Sequence, residues 1–149
     1  MTNSTPEPGL EDLAHLQLIL LGAVLGVRPL PGHDQPVTFP DLGFLEGQSE
    51  IIVDCANLAG GLEIAGLDRP LRIVEPDELR RLASDRGDLP HFRFERPEVD
   101  GDSARLVLEL RMAPADPVRR PLGLSGIQVT FVRKHNRWQA EGEPAYFAM

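Results

Sequence analysis

The 149-residue sequence predicts an α+β domain: an N-terminal helix packed on a curved antiparallel sheet of about 4–6 strands, with one short second helix. Three observations carry this. Ala104, Leu106, Leu108, Leu110 and Met112 are apolar while Arg105, Glu109 and Arg111 between them are charged, a period of two that belongs to a half-buried strand. Leu10, Leu13, Leu16, Leu20, Leu21 and Val24 recur at three- and four-residue spacing, the period of one helix face. Pro76, Asp77 and Glu78, then Arg80, Arg81, Arg86 and Gly87, mark the start and end of a short helix in the order its dipole favours.

Along the chain, residues 1–9 are polar and Pro-rich and read as a loose tail, with a single domain over 10–149. The first helix runs from Leu10 to about Val27, with Glu11 and Asp12 in its first turn. Leu18, Ile19 and Leu25 fall outside its apolar stripe. A helix apolar on more than one side needs cover on more than one side, so these three residues are candidates for a contact with a second copy of the chain, in a homodimer. Pro29, Pro31, Pro36 and Pro40 exclude regular structure from the next twenty residues, which Val37, Phe39, Leu42, Phe44 and Leu45 can pin to the body. Glu50 to Cys55 and Leu71 to Val74 read as strands, and Leu62 to Leu67 as a further short one.

After the second helix, Phe92 and Phe94 alternate with Arg93 and Glu95, and Asp100-Gly101-Asp102 turns the chain into the strand at 104–112. Residues 113–126 hold Pro114, Pro117, Pro121, Gly123 and Gly126, a projecting connection. Ile127, Val129 and Phe131 form the next strand, Lys134 to Arg137 a polar turn, and Trp138 with Ala140 the last strand of an antiparallel meander.

Composition narrows the function classes. With 15 basic against 23 acidic residues the formal charge is −8, which argues against nucleic acid as a partner, because neutralising phosphates takes clustered Lys and Arg. All basic residues but Lys134 are Arg, a bias that fits a GC-rich bacterial genome. The lone Cys55 points to a reduced, cytoplasmic setting. Residues 1–12 carry three acidic residues and no basic one, unlike a secretory leader. The apolar run Leu16 to Val27 is too short to cross a hydrocarbon core, which takes roughly twenty residues, so a soluble protein with no membrane partner is expected.

No metal or cofactor is expected. The sequence has no His-x-x-x-His, no Asp-rich calcium loop and no phosphate loop, and Leu124-Ser125-Gly126 is not a nucleophile elbow. Four histidines are the residues that titrate near neutrality without help. His15 lies on the first helix within reach of Glu11 and Asp12, a surface pair worth a few tenths of a kcal/mol; His33 and His135 sit in solvated turns. His91 opens a strand and is the best candidate acid, although Phe92 and Phe94 facing the core would leave it with Arg93 and Glu95 on the other face. Asp54, directly after an apolar strand, is the candidate base; its plainer role is to end that strand by bonding a backbone amide, with Asn57. Cys55 has no neighbouring His or Lys in sequence and reads as an inert thiol.

A long first helix, a broken middle and wide antiparallel hairpins ending in His135-Asn136-Arg137-Trp138-Gln139-Ala140 resemble the nuclear transport factor 2-like and cystatin-like α+β superfamily. The resemblance covers residues 90–141 by pattern and 10–27 by element type. It implies a pocket between helix and sheet, in which Asp54 and His91 would serve a small lyase or isomerase as base and acid. Without a catalytic motif the residues themselves favour a small acidic binding or interaction module, dimeric and non-catalytic, with a protein or small-molecule partner. A secretion-chaperone-like protein that holds clients on apolar surface is the third expectation.

Overall fold

The computed structural model describes residues 9–116 and 118–149. The tail expected over 1–9 falls, Gly9 apart, outside the described residues. Helix α1 spans Leu10–Val24. It stops short of the expected Val27 because Gly26, at φ +80°, turns the chain in a Schellman motif. In that turn Val27 donates to the Gly22 carbonyl at 2.9 Å and Gly26 to Ala23 at 3.1 Å. Leu16, Leu20, Leu21 and Val24 are buried as the stripe requires, together with Ala23 and the polar Gln17.

The Pro-rich connection is held down by Leu30, Phe39 and Leu45, which are buried, while Phe44 is exposed. The Phe39 ring lies 6.3 Å from that of Phe92. Strands β1 (Ile51–Asp54) and β2 (Leu71–Val74) then pair in parallel. No strand forms over Leu62 to Leu67; this segment crosses over α1 instead, packing Leu62 and Ile64 on its core. Helix α2 (Pro76–Arg86) leads to β3 (Leu89–Phe94), which pairs with β1 in parallel. Strands β4 (Glu98–Asp100), β5 (Ser103–Ala113), β6 (Leu122–Lys134) and β7 (Arg137–Ala148) continue antiparallel. His135 and Asn136, at φ 54° and 61°, form the left-handed turn between the last two.

Among the described residues the result is an α+β fold with two α-helices and one open seven-stranded sheet in the order β2-β1-β3-β5-β6-β7, β4 lying beside β5. The meander expected throughout holds only from β3 onward. β2, α2 and β3 instead form a strand-helix-strand crossover, which returns the chain to the same end of the sheet and makes its strands parallel.

The sheet therefore has two covered faces. Toward α1 point Ile51, Val53, Phe92, Phe94, Leu106, Leu108, Leu110, Ile127 and Phe131, all in the main core. Toward α2 point Ile52, Val74, Leu89 and Ala113, which meet Leu79 and Ala83 in a smaller core. Glu50 and Arg86, 3.1 Å apart, and Arg72 with Glu78 tie α2 to the sheet edge. Among the described residues no helix is long and apolar enough to cross a membrane.

Candidate functional site

Beyond the smaller core, the same face of the sheet carries the charged residues of the central strands. Alternation along β3 sends Phe92 and Phe94 into the main core and His91 and Arg93 to the α2 side. β5 sets Arg111 opposite His91 and Glu109 opposite Arg93. The register of Val53 with Phe92 puts Asp54 on the same side at the end of β1. Pro76, Leu79 and Arg80 of α2 form one wall, and Pro114, Arg119 and Pro121 of the β5–β6 connection another. Between them lies a cleft of about 270 Å³ lined by Asp54 and His91. The two candidate residues thus share one site.

His91 is 1% exposed, because α2 covers the face that parity assigned to it. Its Nδ1 lies 3.2 Å from the Leu89 carbonyl oxygen. A carbonyl can only accept, so Nδ1 carries the proton and the lone pair of the neutral ring is on Nε2. Burial lowers the His91 pKa, against smaller opposing effects of the Leu89 bond and the Asp54 charge. A neutral imidazole lining the cleft is a base or hydrogen-bond acceptor.

Asp54 is buried, and its Oδ1 accepts the Ala56 amide at 2.9 Å, the strand-ending role expected of it. The loop that follows is fixed by a residue the sequence pattern does not single out. Gln17, buried on α1, donates to the Asn57 carbonyl at 2.8 Å and accepts the Ala59 amide at 2.9 Å. Asn57, at φ 62°, does not cap an amide as expected but donates its side-chain NH₂ to the Phe94 carbonyl at 2.9 Å. Helix, loop and strand β3 are thereby locked together.

Four arginines, Arg80, Arg93, Arg111 and Arg119, line the cleft with one acidic residue, Asp54. Arg80 approaches Asp77 at 3.7 Å and Arg111 approaches Glu109 at 3.5 Å. Arg93 and Arg119 make no direct ion pair among the described residues. Glu109 is 4% exposed beside the Glu95 carboxyl. Burial first, then the hydrogen bond and repulsion from Glu95, raise its pKa to about 7, with Arg111 and Arg93 pulling the other way. The arginines come from α2, β3, β5 and a loop, so no sequence spacing brings them together; the only sequence signal is that the charged parity of β3 and β5 is shared.

The remaining candidates lie elsewhere. Leu18, Ile19 and Leu25 are half-buried and pack against the main core. Leu18 and Ile19 also line a groove of about 360 Å³ with Val27 and Ile64. Cys55 is half-buried, His15 and His135 are exposed, and none of these lines the α2 cleft. Among the described residues no three His, Cys, Asp or Glu side chains are grouped to hold a metal ion. No protein-family model, curated protein or solved structure matches the chain.

Proposed function

We propose that this chain is a non-catalytic binding module whose cleft between α2 and the sheet takes a small anion. The observation that carries it is that four arginines line one cleft in a chain of net charge −8. Guanidiniums offer several N–H donors in a fixed fork that matches carboxylate and phosphate oxygens. Two of the four have no ion-pair partner among the described residues to give up. The test is thermal denaturation with acetate or inorganic phosphate against sodium chloride of matched ionic strength. A saturable rise in Tm that is absent in Arg93→Gln, Arg119→Gln supports the reading; the same rise in that double variant refutes it.

A second reading is a lyase or isomerase of the nuclear transport factor 2-like kind, favoured by Asp54 and His91 lining one cleft. There His91 Nε2 would take the proton, and Asp54→Asn, which keeps the bond to Ala56, would leave turnover intact if only His91 is essential. A client-holding protein would draw instead on the exposed Leu122, Tyr146, Phe147 and Met149, and would bind a hydrophobic dye in its native state. The reading includes a homodimer through Leu18, Ile19 and Leu25, which α1 leaves half-uncovered, and a cytoplasmic setting consistent with the single Cys55.

A further inference from the structure

We infer that the ligand of the α2 cleft is a small hydroxy acid, its carboxylate held by guanidiniums and its hydroxyl donating to Nε2 of His91. This rests on the anion-binding reading and adds the second functional group of the ligand. The cleft presents donors and acceptors together. Its guanidiniums can only donate. His91 is 1% exposed with Nδ1–H committed to Leu89, so Nε2 can only accept, and it has no partner among the described residues. Asp54 likewise only accepts, and its one bond among the described residues, from the Ala56 amide, uses Oδ1.

A simple carboxylate satisfies the donors and leaves both acceptors facing a ligand that gives them nothing. Neither acceptor is among the fully buried atoms that lack a partner, so each keeps a solvent contact, and a ligand that displaces that water without donating in its place is discriminated against. A hydroxyl supplies the missing donor and still accepts from a guanidinium with its own lone pairs. An ammonium would also donate, but Arg93 and Arg119, which no carboxylate pairs directly among the described residues, repel it. The cleft volume, about 270 Å³, lies below the range of roughly 300–1,000 Å³ typical of drug-sized ligands, so a molecule of few heavy atoms fits.

The test is calorimetric titration of the full chain at pH 7.5 with propanoate, 2-hydroxypropanoate, 3-hydroxypropanoate, alanine and inorganic phosphate. At least one hydroxy acid is expected to bind about tenfold tighter than propanoate, and His91→Leu is expected to bring that ratio to about one. Propanoate matching both hydroxy acids, or alanine or phosphate binding more tightly than either, overturns the inference and leaves the anion site standing. No saturable binding of any probe overturns both. Should His91→Leu fail to fold, imidazole nitrogen resonances of the unaltered protein decide: the bound hydroxy acid must shift the Nε2 signal of His91, and an unmoved signal overturns the inference.

Discussion

Ionising Glu109 places a negative charge beside Glu95 at a position that is 4% exposed. In the folded chain the carboxyl keeps its proton up to about pH 7, whereas its ordinary value is 4.5. Between those values the folded state binds more protons than the unfolded one, so unfolding free energy falls as pH rises. Glu109→Gln removes that slope. We expect it to stabilise the protein by at least about 1 kcal/mol at pH 8 and to change little at pH 4, measured by thermal denaturation across the range. His91 acts in the opposite sense. Its folded pKa lies below 6.5, so the unfolded state takes up the proton first and stability falls as pH drops below 6.5. His91→Leu should flatten that acid limb, and the two single variants separate the slopes.

At the scale of elements, the α1-loop contact and the β6–β7 pairing each have one position whose substitution is diagnostic. Gln17→Ala leaves the Ala59 amide and the Asn57 carbonyl without partners under α1. A loss of about 2–3 kcal/mol is expected by urea denaturation, with no change in the slope m. Gly126 pairs with Phe147, and an added Cβ there would run into the aromatic ring. Gly126→Ala should cost about 1–3 kcal/mol by overpacking, and Phe147→Ala should relieve most of that penalty in a double-mutant cycle. Most elements were legible, the strand expected over Leu62 to Leu67 being an exception. Leucine spacing marked α1, alternation marked β5, and Pro76 with Gly87 bounded α2. The parallel pairs were not, because nothing local to β1 says that it inserts between β2 and β3. The same crossover hides the site: Arg93 and His91 read as a solvated face until α2 is laid across it, and residues 80, 93, 111 and 119 meet only through tertiary topology.

For the whole molecule the open question is how apolar surface outside the two cores is used. Leu122 is 60% exposed and Met149 51%, with Tyr146 and Phe147 beside them at the β6–β7 end, whereas Leu18, Ile19 and Leu25 are half-buried. The proposed dimer uses the outer side of α1, where Leu18 and Ile19 meet Val27 and Ile64 along a groove. A carboxylate introduced at Leu18 would stand at that contact in a dimer and at the groove rim in a monomer. In sedimentation equilibrium we expect Leu18→Glu to give a soluble monomer whose helical circular dichroism equals that of the parent. Loss of helical signal would mean that Leu18 belongs to the protomer's own core. A dimer that persists would refute the α1 contact and turn attention to Leu122→Glu, because a stable interface must bury more than about 1,000 Å² and the sheet end carries the larger exposed apolar side chains.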